Sequence, residues 1–253
     1  MFIRAALSWG MLPIYVWQGL RVRMTIERLL PAKVPAQGVV GQAHRGKPIK
    51  MLVLGDSTIA SVGMETLEET FAYNVAQAIS TKLTTPVHWR AVGANSATSG
   101  DIRDYVLPNI EERDWTHIFV SVGINDMKNF HLVSRFKKNF GTLLYALRAR
   151  FPNATVIWTP IPNMRPCPAI PNLLSEVLAA RADLINAMGK RMCQERQAIA
   201  TDPVQDVDET CFARDGFHPN GKGYAIWANH VAHWFESDEG VVSAEVTKLP
   251  KRA

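Results

Sequence analysis

The feature that most constrains this chain is a regular alternation between short apolar runs and longer stretches with helical spacing. Residues 50–55 (KMLVLG), 87–92, 118–122 and 154–158 are too short for stable helices and rich in Val, Ile, Leu and aromatic side chains, as strands buried on both faces are. A weaker fifth run lies at 198–201. Between the runs, apolar positions recur at helical intervals over 68–82 (Phe71, Val75, Ala78, Ile79), 102–110, 134–150 and 173–194. A last helix starts after Asn220, a good N-cap, and carries Tyr224, Ile226, Trp227, Val231 and Trp234. Strands spaced by helices imply an α/β fold, a parallel sheet of about five strands with helices on both faces. In such sheets ligands bind beyond the carboxyl ends of the strands. The expected body runs from 50 to 236, without internal repeats.

The ends of the chain read differently. Residues 5–20 are almost unbroken apolar sequence holding Trp9, Tyr15 and Trp17, with Arg4 before them and Arg21, Arg23 and Arg28 after. The run falls short of the ~20 residues that a comfortable membrane span needs, and no clear small-residue cleavage site follows it. Residues 1–30 are expected to form a hydrophobic and basic helix making peripheral membrane contact through residues 5–30; a short span, a helix packed on the core and a cleaved signal are the alternatives. Residues 31–49, rich in Pro and Gly, read as a linker, and 237–253 as a loose tail.

Charge and motifs exclude several classes. The formal charge of +5 looks basic, but eight basic residues face only Glu27 within residues 1–50, so that segment is +7 and the remainder is −2. A nucleic-acid-binding domain carries positive charge on its own surface, so no nucleic-acid partner is expected. Cys167, Cys193 and Cys211 form no CxxC pair and read as packed or free thiols. No nucleotide or metal motif is present, and no cofactor is expected.

The strand ends carry the chemistry. The first run ends in Gly55-Asp56-Ser57, the second leads through Asn95 and Thr98 to Ser99-Gly100-Asp101, the third ends in Gly123-Ile124-Asn125-Asp126, and Asp215-Gly216-Phe217-His218 precedes the last helix. Acyl transfer by serine needs a nucleophile, a base, a group that orients the base, and donors for the oxyanion. Ser57, His218 and Asp215 fit the first three roles, and the backbone N–H groups of Ser57 and Gly100 with the Asn125 amide fit the fourth. At 100, glycine is expected to permit a close backbone approach. Each pattern is common alone; their order, each at a functional loop of a parallel sheet, gives them weight.

These four blocks resemble the SGNH/GDSL hydrolase family, named for Ser, Gly, Asn and His, here Ser57, Gly100, Asn125 and His218. The resemblance spans roughly residues 50–236 and implies a three-layer α/β/α flavodoxin-like sandwich, with Thr58 standing where the family usually has Leu. It implies hydrolysis of acyl esters, thioesters, lysophospholipids or acetylated sugars. The expected anchor, and apolar residues in two loops (Met127, Phe130, Leu132, Val133; Ile161, Met164, Ala169, Ile170), lean towards lipid-like esters of the lysophospholipase-like branch. The alternative is an acyltransferase or deacetylase acting on sugar O-acyl groups with the same triad. A cytoplasmic enzyme attached to the inner membrane is expected, or else a periplasmic one.

Overall fold

The computed structural model describes residues 12–235. The elements are α1 (Leu12–Thr25), β1 (Gln37–Val40), β2 (Ile49–Gly55), α2 (Phe71–Leu83), β3 (Val87–Gly93), α3 (Ser99–Asp101), β4 (His117–Ser121), α4 (Ile124–Lys128), α5 (Val133–Arg150), β5 (Thr155–Thr159), α6 (Asn172–Glu195), β6 (Ile199–Ala200) and α7 (Gly221–Ala232). After α3 the chain winds on through a π turn, Ile102–Val106, and a 3₁₀ turn, Leu107–Asn109.

The sheet has six strands in the order β1-β3-β2-β4-β5-β6, all parallel except β1. Side chains alternate across it with the period of a strand. Leu52 and Leu54 of β2, Ile118 and Val120 of β4, and Val156 and Trp158 of β5 face one core, shared with Phe136, Phe140 and Leu144 of α5 and Leu178 and Ile185 of α6. Met51, Val53, Phe119 and Ile157 face the other, with Phe71, Val75 and Ile79 of α2 and Tyr224, Trp227 and Val231 of α7. This is the three-layer α/β/α sandwich. Its parallel strands run in the flavodoxin-like order, so the direction of winding reverses between β2 and β4 and opens a crevice beyond their carboxyl ends.

The stretch 31–49 is not merely a linker. Gln37–Val40 adds an antiparallel edge strand, pairing Gln37 with Arg90 and Val40 with Val87. Gly38 lies against the Trp89 ring, where a Cβ would come within 3.3 Å. Two valines between Pro35 and Gly41 give little local strand signal; the pairing is made by β3, about fifty residues away in sequence. Asn220 caps α7 as expected, accepting from the Gly223 N–H. Residues 1–11, including part of the expected membrane-contacting segment, and the tail at 237–253 lie outside the described residues. Among the described residues no helix is long and apolar enough to cross a membrane.

Candidate active site

The end of β2 leaves no room for a side chain. A Cβ on Gly55 would sit 2.4 Å from the Ser121 carbonyl and 2.5 Å from Ile59. The chain then turns tightly: Ile59 and Ala60 both donate to the Asp56 carbonyl, and the Thr58 N–H donates to the Asp56 side chain at 3.0 Å. The turn presents Ser57, only 6% exposed, at the floor of the crevice.

Opposite it, the loop before α7 is folded around Asp215. One carboxylate oxygen accepts from the backbone N–H groups of Phe217 and His218, at 2.9 and 3.0 Å. The other lies 2.6 Å from His218 Nδ1, while Nε2 lies 3.1 Å from Ser57 Oγ. Gly216 takes a positive φ of 67°, and its carbonyl accepts from the Ala169 N–H and the Cys167 thiol. Burial alone would raise the Asp215 carboxyl, but the hydrogen bonds from the His218 ring and the two N–H groups outweigh it and hold the group below the usual carboxylate value. An ionised Asp215 accepts a hydrogen bond from Nδ1–H and so keeps the ring proton on that nitrogen, leaving the Nε2 lone pair facing the Ser57 hydroxyl. Of the other histidines, His131 also meets a carboxylate, Asp126 at 3.3 Å, but no nucleophile.

The oxyanion donors expected from the sequence are placed less simply. Gly123, with φ of 127°, starts α4 and delivers Asn125 to the site. Both hydrogens of the Asn125 amide are already donated, to Asp56 Oδ2 at 3.0 Å and to the Ala97 carbonyl at 2.9 Å. The amide oxygen is buried without a partner. Rotating the amide would set that oxygen against two acceptors, so the orientation is enforced. Gly100 is buried in the first turn of α3 and is not part of the cavity wall around Ser57. A Cβ there would meet the Asn139 amide of α5 at 2.9 Å, so helix packing accounts for the glycine rather than the approach of a substrate.

Two aspartates that sequence reasoning left without a role organise these blocks. Asp126 accepts from the Ser99 N–H and hydroxyl at 2.9 and 3.0 Å, tying the turn after β4 to the loop that bears Gly100. Asp56, 1% exposed, holds the Asn125 amide; burial raises its carboxyl above the usual value against the pull of the Thr58 hydrogen bonds, Lys128 and His218. Both lay inside the GDS and GxND patterns, but nothing in the spacing revealed these long-range bonds. Lys128 reaches over the Phe217 ring at 5.7 Å, and burial lowers its ammonium below the usual value.

The crevice encloses a cavity of about 50 Å³ reaching from Ser57 and His218 past Phe217 and Ile124 towards Val204 and Trp227. Of the loop residues expected to contact an acyl chain, Ile161 and Met164 line it. Met127 and Ile170 are buried in the core instead, Ala169 packs against the core and Val133 is half-buried, while Phe130 and Leu132 stand exposed at 52% and 73%. The three cysteines are buried, free thiols. Among the described residues, no cluster of three His, Cys, Asp or Glu side chains could hold a metal ion.

A serine, histidine and aspartate in hydrogen-bonded sequence at the switch point of a flavodoxin-like sheet define a serine-hydrolase class of site. The chain belongs to the GDSL-like lipase/acylhydrolase family, whose profile matches residues 53–226. No curated protein sequence matches it closely enough to count as a relative. Among solved structures, a psychrotrophic esterase from Pseudoalteromonas sp. superposes with a TM-score of 0.58 at 18% identity, over 73% of this chain and 94% of its own. An extracellular lipase from Streptomyces rimosus gives 0.56 at 14% identity, over 73% and 99%. A carbohydrate acetylesterase from Sinorhizobium meliloti gives 0.55 at 14% identity, over 74% and 97%. Membership of this family supports ester hydrolysis; neighbours at such identities bear on the fold alone and select no ester.

Proposed function

We propose that the protein hydrolyses carboxylic esters through an acyl-enzyme on Ser57, with His218 as base and Asp215 as its orienter. The observation that carries this reading is the His218 ring held between Asp215 at 2.6 Å and Ser57 at 3.1 Å. Ser57 Oγ attacks the ester carbonyl as its proton passes to Nε2, and the imidazolium is stabilised by Asp215. The tetrahedral oxyanion takes the Ser57 N–H and the Asn125 amide, which exchanges its Ala97 bond for the substrate. His218 then protonates the departing alcohol, and a water activated by the same ring releases the acid and restores Ser57.

The cavity bears on the acyl group. The cavity of about 50 Å³ opens to solvent, so a short acyl group fits beside Ser57 and a longer tail would extend out of it. The apolar wall favours carbon over charge. The same dimensions favour a second reading, removal of short O-acyl groups from a sugar, the substrate class of the acetylesterase neighbour.

The test is a series of 4-nitrophenyl esters from acetate to dodecanoate with wild type and Ser57→Ala, alongside a fluorophosphonate probe. Rates should peak among the short chains, and Ser57→Ala should lose both hydrolysis and labelling while melting as wild type does. Labelling retained at another serine refutes the assignment of the nucleophile, and a maximum at dodecanoate refutes the short acyl pocket. Acetylated xylo-oligosaccharides as substrate, with and without a competing alcohol, separate hydrolysis from transfer.

A further inference from the structure

Helix α1 is apolar on two faces. Tyr15, Gly19, Val22 and Ile26, at intervals of three or four, are half-buried; α1 packs on α6, and Val22 touches the core. Trp17, Leu20 and Met24 repeat the same interval on the opposite side and are 58%, 53% and 78% exposed. A surface helix ordinarily turns charge outward, so a second apolar stripe calls for a cover other than water.

The border of this stripe says what the cover is. Arg21, Arg23 and Arg28 flank it, all exposed, and the Arg21 guanidinium lies over the Trp17 ring at 5.4 Å. The single acid of the segment, Glu27, is paired with Arg214 at 2.9 Å. Residues 1–11, which precede the helix, carry Phe2, Ile3, Leu7 and Trp9 with Arg4 as their only charge. Apolar and aromatic side chains rimmed by arginine match the boundary between acyl chains and anionic headgroups.

The same segment is laced to both catalytic loops. The Leu30 carbonyl accepts from the Gly63 N–H and the Ala32 N–H donates to the Ser61 carbonyl, on the turn that begins at Ser57. Glu27 holds Arg214, next to Asp215, and Arg23 lies close enough to Lys128 to act on its charge beside Phe217.

We propose that the outer face of α1 docks on an anionic lipid surface and thereby holds the catalytic crevice at the membrane boundary. Docking stands apart from the hydrolase reading; its consequence for substrate delivery rests on it.

The experiment sediments the full chain with vesicles of equal phosphatidylcholine and phosphatidylglycerol, and follows 4-nitrophenyl acetate hydrolysis in the same samples. Wild type should pellet at low salt and be released at high salt. Trp17→Glu/Leu20→Glu/Met24→Glu should weaken vesicle binding by about tenfold or more, and Arg21→Gln/Arg28→Gln should flatten the salt dependence. Hydrolysis of the soluble ester should be unchanged in both variants, while tributyrin dissolved in the vesicles should be cleaved more slowly. The proposal is overturned if wild type stays in the supernatant at low salt, or if the apolar variant binds as wild type does. It is equally overturned if wild type is a dimer that the apolar variant splits, which would make a second copy the cover. Loss of all ester hydrolysis with vesicle binding intact would instead count against the hydrolase reading alone.

Discussion

Replacing Asn125 by Ala should damage stability and catalysis by separable amounts. The amide nitrogen bonds to Asp56 Oδ2 at 3.0 Å and the Ala97 carbonyl at 2.9 Å, both buried. Leaving a buried acceptor unpaired costs about 1–3 kcal/mol each. Burial already pushes Asp56 towards its neutral form, which places the sum in the lower half, roughly 2–4 kcal/mol. For a chain of this size the melting midpoint should fall by about 5–15 °C. Catalysis has a separate magnitude. A free oxyanion donor is worth about 2.7–4 kcal/mol, but this amide must first release a bond worth about 0.5–1.5 kcal/mol. The net effect is roughly 1.2–3.5 kcal/mol, about an eight- to four-hundredfold loss in kcat. Thermal melts and kcat on 4-nitrophenyl acetate, measured well below the variant's midpoint, read the two terms. A drop in midpoint with kcat reduced less than about fivefold would show that Asn125 braces Asp56 and the Ala97 loop without touching the oxyanion. A thousandfold loss with an unchanged midpoint would refute the internal bonds instead.

Two further predictions concern Asp215. His218→Ala and Asp215→Ala should each be severe in kcat/KM, and the double variant scarcely worse than His218→Ala alone, because the pair works as one unit; additive losses would break the triad reading. The Asp215 carboxyl lies below its usual value when folded, so the stability it contributes is present above the ordinary carboxylate range and is lost as pH falls through the lower folded value. The stability gap between wild type and Asp215→Asn should therefore be full at neutral pH and close under acid, as read by denaturant melts; a gap that widens under acid would reverse the sign of the shift.

The parts of this molecule written locally are legible in its sequence. Buried parallel strands appear as runs such as MLVLG, and three of the four catalytic blocks end such runs, because a parallel sheet puts functional loops at one end of its strands. The unforeseen parts depend on partners distant in sequence. β1 is a strand because β3 offers it an edge, and α3 begins earlier than its apolar spacing because Thr98 and Asp101 cap each other reciprocally. That box was readable; the bonds from Asn125 to Asp56 and from Ser99 to Asp126, spanning 69 and 27 residues, were not.

Those bonds explain why the four blocks behave as one site. Asp56 links the nucleophile turn to α4, and Asp126 links α4 to the Gly100 loop, so three strand ends are cross-braced by two buried carboxylates. Among the described residues the fourth block has no such carboxylate brace to α4, which it meets through Lys128 over the Phe217 ring. Its loop is held by its own Asp215, by Cys167 and Ala169 on the Gly216 carbonyl, and by Glu27 on Arg214. Buried bonds thus join the nucleophile turn to α4 and the Gly100 loop, while the proposed base rides on a loop with tethers of its own, one of them from the N-terminal segment. A force on α1, from a lipid surface or any other contact, therefore reaches both parts of the site: the acid–base loop through Glu27 and Arg214, and the nucleophile turn through the backbone bonds of Leu30 and Ala32.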